Sequence, residues 1–135
     1  MRPSLIVYIL ITWVIVVLQV RAEDEDREAM YVKLTSGMVV NYGEPSLSRL
    51  HYLKVSVDVR VRNADHADAI EYHMPALQDA LIRVFSAQED ELIQSAAGKE
   101  ELRMMVLKEL QKVIEKEEGM PLIQDLLFTG FIVQR

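Results

Sequence analysis

An α+β fold follows from how hydrophobic periodicity changes along the chain. Segments with a period of two come first, a block with helical spacing follows, and a short apolar strand comes last. Strands and helices do not alternate, so repeated parallel β-α-β units are not expected.

Of the 135 residues, the first stretch is of another kind. Residues 5–20 carry no charge, and only Thr12 and Gln19 among them are polar. Arg2 precedes the stretch, and Arg21 and the acidic run Glu23-Asp24-Glu25-Asp26 follow it. Positive charge stays on the cytoplasmic side of an inserting segment, which predicts an N-terminus inside and the remaining chain across the membrane. As a helix, residues 5–20 (Leu5, Trp13 and Val20 mark its start, middle and end) span roughly 24 Å, against about 30 Å for a hydrocarbon core. Bilayer thinning, or Arg21 reaching the interface, accommodates that difference. Val20-Arg21-Ala22 also has the small-residue pattern of a signal-peptidase site, with cleavage between Ala22 and Glu23. Anchor and cleaved signal both stand as readings. The expected organisation is a membrane or signal segment over residues 1–22, an acidic linker over 23–29, and a domain over 30–135.

In the domain, Met30, Val32 and Leu34 alternate with Tyr31 and Lys33 as a short strand, and residues 38–42 form a second extended piece. Gly43-Glu44-Pro45-Ser46 is expected to end that piece in a turn. The clearest pattern follows: Leu53, Val55, Val57, Val59 and Val61 alternate with Lys54, Ser56, Asp58 and Arg60. That alternation sends one set into a core and the other into water, as in a one-sided antiparallel strand.

Asn63-Ala64-Asp65 opens the helical region. Ile70, Met74, Leu77, Leu81 and Val84 or Phe85 fall on one face, which predicts a long helix kinked at Pro75. Ser86 and Glu89 have capping-box spacing for a short helix through Ile93, and Ser95 is placed to cap the next. That helix turns Leu102, Met105, Val106, Leu110, Val113 and Ile114 inward and ends at Gly119, before Pro121. Residues 126–134 are almost wholly apolar and rich in β-branched and aromatic side chains. They predict a strand covered on both faces, inside a sheet, with the C-terminus pinned in the core.

Composition limits the function. Removing residues 1–22 leaves 13 of the 15 basic residues against 21 acidic ones, a net charge of about −8. Nucleic acid and anionic membrane surfaces demand clustered Lys and Arg, so neither is an expected partner. With no cysteine there is no disulfide framework, and core packing must hold the domain.

The chain offers few candidates for chemistry. His66 and His73 lie seven apart with Asp65, Asp68 and Glu71 nearby, but this matches no familiar metal-ligand spacing, and a solvated helix start explains it. His51 is isolated. Gly98-Lys99 lacks both the earlier glycine and the following hydroxyl of a phosphate loop. No serine sits in a glycine-framed nucleophile elbow, and the carboxylate clusters at 23–26 and 115–118 are solvated runs. No catalytic, cofactor or metal residues are assigned, and no enzyme is expected. The outward charges Asp58, Arg60, Lys112 and Lys116 are the candidates for an oligomer or partner face.

Four blocks in order carry a resemblance. His51-Tyr52-Leu53-Lys54-Val55-Ser56-Val57 resembles the "RYLKVSV"-type strand of the flagellar basal-body-associated FliL family. Met74-Pro75-Ala76-Leu77-Gln78-Asp79-Ala80-Leu81-Ile82 is similar to its proline-bearing helix, and Gly98-Lys99-Glu100-Glu101-Leu102-Arg103 to its helix start. Phe128-Thr129-Gly130-Phe131-Ile132-Val133-Gln134 resembles its terminal strand, with Gly130 where the family often has an acid. The apolar segment is also shorter than the anchor that members usually keep. The resemblance implies a single-pass inner-membrane protein with a periplasmic domain of stomatin/prohibitin type. It further implies a homo-oligomeric ring associated with the stator of the flagellar motor, supporting stator engagement, torque, flagellar rotation and hence motility and chemotaxis. The alternative expectation is a cleaved, soluble periplasmic module that binds an envelope protein or peptide.

Overall fold

The computed structural model describes residues 30–46 and 49–134. The residues expected to form the membrane or signal segment (Leu5, Trp13, Val20), the cleavage point (Ala22, Glu23) and the acidic linker lie outside them. Among the described residues, no helix is long and apolar enough to cross a membrane.

The elements run β1 (Met30–Ser46), β2 (Arg49–Val61), α1 (Ala64–Tyr72), α2 (Met74–Ser86), α3 (Asp90–Gln94), α4 (Ala96–Glu118) and β3 (Ile123–Gln134). The three strands make one antiparallel sheet in the order β1-β2-β3. The α+β expectation holds, with helices segregated between the second and third strands.

The alternation in β2 sets the core. Leu53, Val55, Val57, Val59 and Val61 are all fully buried. Across the ladders they meet Val40, Met38, Val32 and Met30 on β1 and Val133, Phe131, Phe128, Leu126 and Ile123 on β3. Against this face pack Ile70 of α1, Leu77, Leu81 and Phe85 of α2, and Leu102, Val106, Leu110 and Ile114 of α4. Of the expected inward positions, Met74, Val84 and Val113 are only partly buried, and Met105 is exposed at the edge of the helix layer.

Local start and stop signals act as the sequence indicates. Asn63 Oδ1 accepts the His66 amide at 2.9 Å and Ser95 Oγ accepts the Gly98 amide at 2.9 Å, each capping a helix. Gly119, at φ 76°, ends α4 in a left-handed cap.

Five expectations are corrected. Residues 30–34 and 38–42 are parts of one strand, β1, bent by register shifts between Lys33 and Met38. Gly43 does not end it: at φ 76° it forms an irregularity, and the strand runs on until Ser46 pairs with Arg49. At Pro75 there is no single kinked helix. His73, at φ −92° and ψ 12°, is a one-residue joint between α1 and α2, and proline occupies the first turn of α2, where its missing N–H costs nothing. Ser86 is not a cap; it closes α2 by donating to the Ile82 carbonyl at 2.6 Å, and Glu89 occupies the N-cap position of α3 without a side-chain bond.

The fifth correction concerns β3. It is an edge strand, with β2 its only neighbour in the sheet among the described residues. Phe128, Phe131 and Val133 turn to the core, but Leu127 and Ile132 are 40% and 54% exposed. Being apolar on both faces therefore does not place it inside the sheet, because helices cover only one face.

Candidate functional site

The face of the sheet away from the helices is built from the other half of each alternation. Register places Tyr31, Arg60 and Asp125 in one row, Lys33, Asp58 and Leu127 in the next, and Val39, Lys54 and Ile132 in a third. Asn41, Tyr52 and Gln134 make the fourth. Tyr31 and Val39 are 56% and 60% exposed, so this face is amphipathic and more apolar than a solvated surface requires.

Asp58 and Arg60 lie at its centre, as the outward residues of the middle strand. The Asp58 Oδ1 and Arg60 Nε atoms are shielded from solvent and make no hydrogen bond among the described residues. Ser56 Oγ accepts the Gly37 amide of the β1 bulge at 2.8 Å, and a Cβ on Gly130 would stand 3.2 Å from the same oxygen. Gly130 thus lies close against Ser56.

Lys112 and Lys116 belong to a second surface on the helix layer. Lys112 is exposed, reaches Glu109 at 3.6 Å, and lines a shallow groove of about 400 Å³ with Arg83, Val84 and Met105. Lys116 is exposed in the last turn of α4. The structure therefore does not bring the four charges together: Asp58 and Arg60 face out from the sheet, and the two lysines from the helices.

The remaining ionisable groups tie elements to one another. His73 Nε2 lies 2.6 Å from Glu118 Oε1, joining the α1–α2 joint to the end of α4. His51 Nδ1 and the Tyr42 hydroxyl both reach Asp90 Oδ1, at 3.3 and 2.9 Å, fastening the β1–β2 hairpin to α3. Hydrogen bonds from Gln94, Tyr42 and His51 hold the Asp90 carboxyl below its ordinary pKa. Arg103 bonds Glu100 at 2.6 Å, Asp125 at 2.7 Å and the Leu126 carbonyl at 3.1 Å, tying α4 to β3. The Leu126 amide, then Arg103, keeps the Asp125 carboxyl low, while Glu100 and Asp125 push the Arg103 guanidinium above its usual value.

His66 and His73 do not converge, and among the described residues no three His, Asp or Glu side chains gather as metal ligands. Sequence reasoning missed Tyr42, Asp90, Arg103 and Asp125. Only the Glu100–Arg103 spacing of three gave a local signal.

Among the described residues, a two-layer α+β domain leaves one amphipathic face of its sheet turned away from the helices. The family described as "Flagellar basal body-associated protein FliL" matches residues 31–134. The "Flagellar protein FliL" of Aquifex aeolicus (strain VF5) is 26% identical over 102 residues, which cover 76% of this chain. The chain spans 60% of the length of that curated relative. The chain belongs to the FliL family of flagellar basal-body-associated proteins.

Proposed function

We propose that this protein is a non-enzymatic accessory subunit of the flagellar basal body, assembling into a ring that supports engagement of the motor stator and torque. In this reading residues 5–20 hold it in the inner membrane as a single pass. The domain lies in the periplasm, is of stomatin/prohibitin type, and contacts both stator subunits and neighbouring copies of itself. Rotation, and with it swimming and chemotaxis, depends on those contacts.

Family membership supports the basal-body assignment. The observation that carries the ring is the separation of the two candidate surfaces, the sheet face with Asp58 and Arg60 and the helix face with Lys112 and Lys116. A closed ring larger than a dimer needs two different patches meeting head to tail, and one self-complementary patch would stop at two subunits.

Photo-crosslinking in cells tests this, with a probe at Arg60 or Lys112 and the products identified by mass spectrometry. Recovery of stator subunits and of the protein itself is the expected result. Recovery of neither, together with a soluble product beginning at Glu23, would replace the proposal with a cleaved periplasmic module.

A further inference from the structure

The outer edge of β3 is closed over its first half and open over its second. Gln111 Nε2 donates to the Ile123 carbonyl at 2.9 Å, Arg103 donates to the Leu126 carbonyl at 3.1 Å, and Asp125 accepts the Leu126 amide at 2.8 Å. Side chains thus occupy backbone groups that would otherwise template another strand. From residue 127 to 134, no described side chain does so.

That open stretch has no built-in obstacle to pairing. Residues 126–134 hold no charge and no proline, and are rich in β-branched and aromatic side chains. Residues 130–134 pair with residues 56–52 of β2 without interruption, so the edge is regular there. The opposite edge of the sheet is different: β1 is broken by register shifts and by Gly37 and Gly43 at φ 69° and 76°. Bulges of this kind twist an edge away from pairing, so β1 is protected and β3 is not.

A cleft of about 340 Å³ adjoins the open stretch, lined by Ile93, Gln94, Lys99, Phe131 and Val133. The β2 residues opposite Phe131 and Val133, namely Val55 and Leu53, do not line it, so it opens on the side of β3 away from β2. Lys99 Nζ stands 5.0 Å from the centre of the Phe131 ring. Among the described residues no carboxylate forms an ion pair with it. It rises from the first turn of the long helix α4, where the helix dipole adds to its positive field.

We propose that residues 130–134 are a strand-addition site for an extended segment of a partner protein, which carries a carboxylate side chain into the cleft to meet Lys99. Backbone pairing would supply affinity, and the cleft would select alternate side chains, as in other cases of β-augmentation. The partner is not a second copy pairing through the same strand, because residues 126–134 contain no acidic side chain to offer Lys99. This site is separate from the two surfaces invoked for the ring and does not depend on it.

The test uses the full chain in detergent and labelled nine-residue peptides of three kinds read by fluorescence anisotropy. The first alternates valine and threonine around a central glutamate. The second has lysine at the centre, and the third is the first with alternate amides N-methylated, in both possible registers. The glutamate peptide should bind about fivefold more tightly than the lysine peptide, the scale of one exposed charge pair. Lys99→Glu, which suits a helix N-terminus and leaves the fold intact, should reverse that order. One N-methylated register should lose binding. No binding by any peptide, equal binding by the glutamate and lysine forms, or full binding by both methylated forms would overturn the proposal. So would a photo-crosslinker at Gln134 in cells that captures only other copies of this chain.

Discussion

A Cβ on Gly98 would overlap the carbonyl oxygen of Leu92 and stand 2.8 Å from its carbonyl carbon and 2.7 Å from Ser95 Oγ. The turn between α3 and α4 is therefore closed so tightly that only glycine fits at position 98. The glycine of the Gly98-Lys99 pair is a packing requirement.

Gly98→Ala sets two effects against each other. Alanine in a helix is ordinarily better than glycine by up to about 1 kcal/mol. Overpacking against fixed backbone costs roughly 1–3 kcal/mol, and the obstructing atoms here include backbone that cannot swing aside. We expect a net loss of about 1–2 kcal/mol, seen as a lower urea midpoint with an unchanged slope. A stabilised variant would mean that the α3–α4 turn relaxes freely.

Arg103→Ala removes the donor shared by Glu100, Asp125 and the Leu126 carbonyl. Leaving the part-buried Leu126 carbonyl without this donor, and Asp125 with the Leu126 amide alone, should destabilise the domain by about 1–3 kcal/mol. Arg103→Lys should recover only part of this, since one ammonium cannot span the fork. Chemical denaturation of both variants measures the difference.

Acid sensitivity follows from the depressed carboxyls. Asp125 and Asp90 have folded pKa values below their ordinary range, so each contributes stability above the unfolded carboxylate pKa of about 3.9. That contribution is lost as pH falls from there through the folded values. Asp125→Asn should therefore show a shallower loss of stability between about pH 4 and pH 2 than the native chain. Parallel slopes in the two titrations would remove Asp125 from the explanation.

Asp90→Ala should free the hairpin. Tyr42 and His51 lose their shared acceptor, and the nearby Gly43 amide, which donates to the Gln88 carbonyl at 3.1 Å, should exchange with deuterium faster. Amides at the centre of β2 should be unaffected. Uniform acceleration across the sheet would instead indicate global destabilisation.

Reversing the charge at Lys112 and Lys116 together should reduce oligomer size more at low salt than at high salt, because exposed charges are screened beyond about 10 Å at 0.1 M. Light scattering across a salt series reads this directly. A size independent of salt would exclude the helix face as a ring contact.

The most legible parts of the fold were those whose signals are local. The β2 alternation placed five core residues, and Asn63, Ser95 and Gly119 marked helix ends, because each acts on groups within a few residues of itself. Pro75 and Ser86 were ambiguous for the same reason: a proline fits a kink or a first turn, and a serine can cap a helix forward or bond backward to the carbonyl four residues earlier. Of the candidate partner residues, Asp58 and Arg60 were placed correctly on an outward face by parity alone.

The sequence by itself determined the α+β class, the face that β2 buries, and the four-block pattern of the FliL family, since all of these are written in residue type and spacing. Only the tertiary structure decided that β3 is an edge strand, that Arg103 and Gln111 seal half of that edge, and that the candidate charges divide between two opposite surfaces. Those outcomes join residues far apart in the chain. Periodicity reports which side of an element is apolar, but it carries no information about what, if anything, lies against its edge.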